Sequence, residues 1–205
     1  MSSRAAHHSD QQRRRICAEA ARLMADEGIR DFHAAKRRAC DRLGLDHDHR
    51  HWPANHEIEA ALQEHLKLFH AQALPARQRR LRQLALEAMN FLDRFQPRLV
   101  GAVLSGAVTD HSAIELLLTA DTSEEIGHFL DEHGIPHDTH ERRLRYGGDR
   151  QTSIPAYRFE ADGVTVELAV LDPVAAREPP LSPVDGKSMH RASRREVEEL
   201  LKRGA

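Results

Sequence analysis

Aromatic residues, cysteines and long apolar runs are all scarce in this 205-residue sequence. Aromatics make up only 4% of the chain, so a core has to be built mainly from Leu, Val, Ile and Ala. The two cysteines, Cys17 and Cys40, form no metal-like pair and indicate thiols in a reducing compartment. No apolar run approaches the ~18 residues of a membrane span, and the N-terminus lacks an apolar secretory segment. These absences predict a cytoplasmic protein without a membrane partner.

Net charge is small as well. The chain has 30 Lys and Arg residues against 32 Asp and Glu, for a formal charge of -2. This balance excludes a uniformly basic nucleic-acid binder but allows a local basic face. Histidine is plentiful, with 15 residues, and His47, His49 and His51 alternate in a predicted loop. Because no closed set of Cys and His ligands accompanies them, we expect only adventitious metal binding there.

The apolar pattern divides the chain into two halves of different class. Helical spacing predicts helices at about 10–27, 31–43, from Asn55 to before Pro75, and at about 76–95. Asp31 is expected to cap the second of these and Gly44 to end it, and Asn55 is expected to cap the third. Short apolar runs then predict strands at 99–104, 114–118, 141–146, 154–160 and 164–171, with a helix over about 122–133 and a hairpin turn at 161–163. We therefore expect an α/β (α+β) protein with a disordered arm (1–9), an all-helical domain (10–95) whose fourth helix could also pack on the sheet, and an α/β domain (96–205). The last of these includes a proline-rich loop at 172–190 and a terminal helix from Ser193.

The most informative stretch joins the first two predicted strands and reads Gly101-Ala-Val-Leu-Ser-Gly106-Ala-Val-Thr-Asp-His-Ser112-Ala-Ile-Glu-Leu116. Its spacing resembles the active-site loop of the nucleotidyltransferase superfamily, which reads Gly-Ser, three residues, Gly, five residues, then Ser-Asp-Ile-Asp-Leu. Ala102 stands at the family serine, Ala113 at the first metal-binding aspartate and Glu115 at the second. The resemblance implies a mixed sheet of nucleotidyltransferase type with flanking helices.

The same resemblance implies roles for individual residues. The backbone around Gly101, Ala102, Ser105 and Gly106 would cradle phosphate, because glycine allows close approach, and the Ser105 and Ser112 hydroxyls would assist. Alternate residues of a strand share a face, so family carboxylates on the second strand hold divalent metal together with a third from a later strand. Here Glu115 and Glu167 are the candidates for catalysis and for Mg²⁺. Since Ala113 has no carboxylate, a two-metal transferase mechanism is not expected to operate in full.

Three further stretches resemble a bacterial group of nucleotidyltransferase-like proteins across about residues 15–201. They are Ala34-Ala-Lys-Arg-Arg-Ala-Cys-Asp-Arg-Leu-Gly44, Phe95-Gln-Pro-Arg-Leu-Val-Gly101 and Pro180-Leu-Ser-Pro-Val-Asp-Gly-Lys187. This wider resemblance implies a shared architecture and supplies no substrate.

Arginines cluster at three places where they could contact an anionic partner. Arg37, Arg38 and Arg42 share a face of the second predicted helix, and Arg77, Arg79 and Arg80 begin the fourth, where the helix dipole disfavours cations. Arg143 and Arg145 share a face of a predicted strand and could line a cleft for triphosphate or nucleic acid. Solvated helix faces and charged edge strands explain the same patterns without a ligand.

Together these patterns favour a divergent nucleotidyltransferase-superfamily protein that binds a nucleotide, as a Mg²⁺ complex, in a cleft beneath the glycine loop. The alternative is a non-catalytic module that binds RNA, DNA or a protein through its arginine-rich helices, such as an antitoxin-like partner. The first hypothesis predicts nucleotide binding that depends on Mg²⁺. The second predicts nucleic-acid binding that weakens as the salt concentration rises.

Overall fold

The computed structural model describes residues 2–49, 52–148 and 150–203, with the side chains of all of these except 2–6 and 8. The described residues form seven α-helices and one five-stranded mixed sheet, which confirms the mixed α/β class. The chain divides into two compact units. The first comprises residues 1–74 with 109–111, and the second comprises 75–108 with 112–205. None of the described helices is long and apolar enough to span a membrane.

The first unit consists of three helices, α1 (Ser2–Asp26), α2 (Phe32–Leu43) and α3 (Asn55–Phe69). Helix α1 contacts both of the others. Its inward face buries aliphatic residues at helical spacing, and these pack with the inward faces of α2 and α3. The buried residues are Ile16, Ala20, Ala21, Leu23, Met24, Ala25, Ala35, Ala39, Cys40, Ile58, Leu62 and Leu66. The described helices of this unit therefore form an apolar core almost without aromatic side chains.

Capping side chains set the ends of these helices. The Asp31 carboxylate accepts a hydrogen bond from the Ala34 amide at 2.7 Å, and Gly44 ends α2 at φ 61°, both as the sequence predicts. The prediction that Asn55 caps α3 is wrong, because the cap residue is Ala54. Glu57 accepts from the Ala54 amide at 2.6 Å, while the Asn55 side chain accepts from Lys36 Nζ at 2.7 Å.

Helix α1 begins earlier than the sequence suggests. It starts at Ser2, inside the stretch 1–9 for which we expected disorder, and Met1 lies outside the described residues.

The second unit contains α4 (Leu74–Phe91, from Pro75 onward), α5 (Gly101–Ser105), α6 (Glu124–Glu132) and α7 (Arg194–Arg203). The expected boundary near residue 95 differs from this division, which places α4 with the sheet. Three side chains of α4 explain this placement. Gln78 Nε2 donates to the Gly106 carbonyl at 2.7 Å, Arg82 Nε to the Val103 carbonyl at 3.3 Å, and Arg80 Nη2 to the Asp162 carbonyl at 2.9 Å.

The sheet has the strand order β1-β2-β5-β4-β3. Its strands are β1 (Arg98–Val100), β2 (Ile114–Thr119), β3 (Asp138–Arg145), β4 (Gln151–Ala161) and β5 (Val164–Leu171). Strands β2 and β5 pair in parallel, and all other pairs are antiparallel. The predicted hairpin between β4 and β5 is confirmed, with Ala161 opposite Val164. The central parallel pair therefore brings the second and the last predicted strands side by side.

The two faces of the sheet carry different groups. One face includes Tyr157, whose hydroxyl donates to the Ser123 carbonyl at 2.8 Å, at the start of α6. The other face has an apolar middle around Leu117 and Ala169, against which Ala175, Ala176 and Met189 pack. At one end of that second face the middle gives way to charged side chains.

The predicted strand over 99–104 is wrong beyond Val100. At Gly101 the backbone enters the left-handed region, at φ 73°, and the next residues form the single-turn helix α5. An apolar run alone does not distinguish a buried strand from a buried helical turn. The glycine marks the change, since other residues adopt this φ only at a cost.

Candidate functional site

Two glutamates stand side by side at the start of the parallel strands. Glu115 of β2 and Glu167 of β5 are direct partners in the register, so their side chains leave the same face of the sheet. Both side chains are largely buried, with 20% and 13% of their surface exposed. The two carboxylates that the sequence singled out are therefore neighbours on one surface.

The glycine loop meets this surface at Gly101. A Cβ atom at Gly101 would lie 2.6 Å from Glu115 Oε1 and 2.9 Å from its Cδ, closer than real Cβ contacts occur. A side chain at Gly101 would therefore have to adopt a left-handed φ and would displace the carboxylate packed against it. This contact joins the two halves of the sequence motif, the glycine and the acidic strand residue.

Each glutamate is paired with an arginine. Arg142 Nη2 lies 2.5 Å from Glu115 Oε2, and Arg158 Nη2 lies 3.1 Å from Glu167 Oε1. Arg142 Nη1 is buried and has no hydrogen-bond partner among the described residues. Such a donor normally has an acceptor, because an unpaired buried N–H costs ~1–3 kcal/mol. The site therefore holds two carboxylates, two guanidinium groups and one unpaired guanidinium nitrogen, whose N–H bonds could be satisfied by a ligand oxygen.

The other residues of the motif make contacts that stabilise the loop. Ala113, at the first family carboxylate, is buried and offers only a methyl group. The Ser105 hydroxyl donates to the Ala102 carbonyl at 3.3 Å, within α5. Gly106 is held by Gln78 of α4, and Ser112 is half-buried and has a partner. None of these contacts adds a carboxylate to the pair formed by Glu115 and Glu167.

Strand β3 presents a different arginine from those that the sequence selected. Leu144 belongs to the apolar cluster that includes Leu117, and Arg142 reaches Glu115. These two side chains therefore lie on the face of the sheet that carries Glu115 and Glu167, which we call the glutamate face. Arg143 and Arg145 alternate with them, are exposed and point to the opposite face. The structure therefore brings Arg142 to the candidate site and leaves Arg143 and Arg145 outside it.

Most of the helix arginines have partners within their own unit. In α2, Arg42 lies 2.6 Å and Arg38 3.6 Å from carboxylate oxygens of Glu27. Arg37 and Arg79 are exposed. At the start of α4, Arg77 has a partner and Arg80 holds the 161–163 turn. Arg82 is part-buried beneath α5, and this burial lowers the pKa of its guanidinium.

The residues at the glutamate face do not fit a two-metal centre. Two-metal phosphoryl chemistry needs carboxylates enough to bridge and clamp both ions, and here Ala113 removes one of the three. The structure's one cluster of three potential metal ligands, counted over the described ranges, lies elsewhere, at Asp26, His65 and His70. A pair of carboxylates does fit a single Mg²⁺ that arrives with a nucleotide, since Mg²⁺ is usually held by one or two carboxylates plus substrate phosphates.

A concave surface, which the sequence did not suggest, lies at the other end of the same face. A cleft of about 560 Å³ opens where β2 and β5 end, at Thr119 and Leu171, roughly 13 Å along the strands from Glu115. Its walls carry four arginines and two carboxylates: Arg94, Arg98, Arg177, Arg191, Asp121 and Glu125. Its size and its position at strand carboxyl ends are typical of small-molecule sites. It is therefore the competing location for an anionic ligand in this unit.

No protein-family model matches the chain, and no curated protein sequence is significantly similar to it. The resemblance to nucleotidyltransferases consequently rests on the motif residues of the sequence.

Proposed function

We propose that this chain is a divergent member of the nucleotidyltransferase superfamily that binds a nucleoside triphosphate, as its Mg²⁺ complex, at the glutamate face. We further propose that it no longer transfers the nucleotidyl group. The observation that carries the proposal is the direct pairing of Glu115 with Glu167 while the Glu115 carboxylate packs on Gly101. A short glycine turn beside two adjacent carboxylates is the arrangement that the motif implies.

Charge supports a triphosphate ligand carrying its own cation. Glu115 and Glu167 supply the oxygen ligands that Mg²⁺ prefers, in the number that it uses when phosphates complete its shell. Arg142 and Arg158 stand next to these carboxylates, and guanidinium groups bind phosphate oxygens through paired N–H donors. On this proposal the arginines exchange a carboxylate partner for a phosphate when the complex binds.

Loss of transfer follows from Ala113. Without the first carboxylate, no protein group completes a second metal site that would stabilise the attacking oxygen. The proposal therefore predicts nucleotide binding without nucleotidyl transfer, and each of these can be measured on its own.

Thermal shift with ATP, GTP, CTP and UTP, each with and without Mg²⁺, tests the proposal. At least one nucleotide should raise the melting temperature only when Mg²⁺ is present, since a ligand specific for the native state stabilises it by RT ln(1 + [L]/Kd). Glu115→Gln should remove the shift, and Glu141→Gln, an exposed glutamate on β3, should keep it. Pyrophosphate release should stay at background.

Two results would count against this function. The first is the absence of any Mg²⁺-dependent shift, and the second is a shift that Glu115→Gln leaves unchanged. Salt-sensitive binding of RNA or DNA that weakens in Arg79→Ala would favour the nucleic-acid module instead. Arg79 is the better test residue there, because Arg80 also holds the turn at Asp162.

A further inference from the structure

Two histidines and a carboxylate converge where α1 and α3 end. Asp26 is the last residue of α1, His65 lies in the last part of α3, and His70 is the residue that caps α3. One ligand atom from each lies within 4.8 Å of the others. We propose that these three residues bind a divalent transition metal ion, independently of any nucleotide.

The carboxylate has one oxygen directed at the cluster. Asp26 Oδ1 lies 3.8 Å from His65 Nε2, while Oδ2 lies 3.5 Å from Arg22 Nη1 on the preceding turn of α1. Arg22 therefore anchors the carboxylate through one oxygen and leaves the other toward the imidazoles. The His65 ring is mostly buried and lies against the Phe69 ring at 4.7 Å between centroids, which restricts its orientation.

The backbone also favours a cation at this place. The C-terminal ends of α1 and α3 both lie at the cluster, and each carries the negative end of a helix dipole. Two imidazole nitrogens and one carboxylate oxygen form a donor set that suits Zn²⁺ and related ions, with an open position for water. Donors in a tetrahedral zinc site stand about 3.3 Å apart, given bonds of 2.0–2.1 Å. The ligand atoms, which lie within 4.8 Å of one another, therefore need to close by up to roughly 1.5 Å.

The described histidines of the 47–51 loop make other contacts. His47 Nε2 lies 2.8 Å from Asp41 Oδ1, and the His49 ring stacks on Trp52 at 4.1 Å between centroids. His51 lies outside the described residues. This loop is therefore not part of the proposed site, and it supplies a control variant for the test.

Zn²⁺ affinity of the full chain, measured by competition with a chromophoric chelator, tests the proposal. The ligand variants are His65→Gln, His70→Gln and Asp26→Asn, and the controls are His56→Gln on the same helix and His47→Gln in the loop. Each ligand variant should weaken binding at least ~10-fold, the loss that even outer-shell changes cause in metal sites. The controls should bind as the wild type does. Co²⁺ added to the wild type should give the intense visible absorption of a low-symmetry site and lose it on addition of Zn²⁺.

Three results would overturn the proposal. These are wild-type affinity in all three ligand variants, loss of affinity in His47→Gln alone, and absence of the Co²⁺ absorption. If His65→Gln changes the far-ultraviolet CD spectrum, Asp26→Asn decides the matter, since Asp26 is exposed and asparagine keeps its size.

Discussion

Replacing Gly101 with alanine tests the contact on which the candidate site depends. The substitution has two separable costs. A left-handed φ costs a residue with a side chain about 1–2 kcal/mol, and crowding a packed position costs about 1–3 kcal/mol more. The new methyl group would lie 2.6 Å from Glu115 Oε1, and the ion pair with Arg142 restrains that carboxylate. We therefore expect Gly101→Ala to lower the free energy of unfolding of the second unit by about 2–5 kcal/mol.

The chain supplies a matched control. Gly163 has φ 71°, nearly the value of Gly101, but a Cβ there would meet nothing within 4 Å. Gly163→Ala should cost only the backbone part, about 1–2 kcal/mol. In a Glu115→Ala background the crowding disappears, so Gly101→Ala should then cost no more than the control. The difference between the two backgrounds is the coupling between Gly101 and Glu115.

Urea unfolding followed by two signals separates the units. Both tyrosines, Tyr146 and Tyr157, are buried in the second unit and report it through near-ultraviolet CD, whereas the single tryptophan, Trp52, reports the first through fluorescence. Only the tyrosine transition should move. Equal destabilisation by Gly101→Ala and Gly163→Ala in the wild-type background would refute the expected crowding between residue 101 and the Glu115 carboxylate.

Two other substitutions test the frame around the site. Tyr157→Phe removes the hydroxyl that donates to the Ser123 carbonyl and should lower the free energy of unfolding of the second unit by about 1 kcal/mol. The urea transition of that unit can still be followed through Tyr146. An unchanged transition would show that the hydrogen bond is not made. The Glu196 carboxylate accepts hydrogen bonds from the hydroxyl and the amide of Ser193 at the start of α7. These two bonds are the main reason that the pKa of Glu196 falls from 4.5 to about 2. Because the folded pKa is the lower one, this stabilisation is fully present above pH 4.5 and is lost as pH falls toward 2. Glu196→Gln should flatten the pH dependence of the melting temperature in that window by an amount equivalent to about 0.5–1 kcal/mol, while Glu198→Gln on the same helix should not.

Local chemistry explains which parts of the fold were predictable. Asp31 and Gly44 bound α2 as the sequence predicts because a cap acts on its own helix, within a few residues. The turn at 161–163 was predictable for the same reason. Ala54 replaced Asn55 as the α3 cap because Lys36, 19 residues away in the chain, takes the asparagine oxygen. A contact of that separation leaves no local pattern.

The site was predictable in its carboxylates and not in its cations. Glu115 follows from the spacing of the motif and Glu167 from the later strand that the resemblance implies, and pairing of β2 with β5 then places them together. Arg142 was missed because a strand's alternation shows which residues share a face but not which face meets the site. His65 and His70 were missed because their partner Asp26 comes from another helix, whereas the alternating histidines of the 47–51 stretch are visible in the sequence alone.

Nucleotide binding at the glutamate face is measured most directly by an amide chemical-shift map of the nitrogen-15-labelled protein with and without the Mg²⁺–nucleotide complex. We expect the largest changes to fall on residues 101–106, on Glu115 and on Glu167, and to vanish in Glu115→Gln. Changes confined to the arginine-lined cleft at Arg98 and Arg177, or to the exposed arginines of α2 and α4, would contradict it.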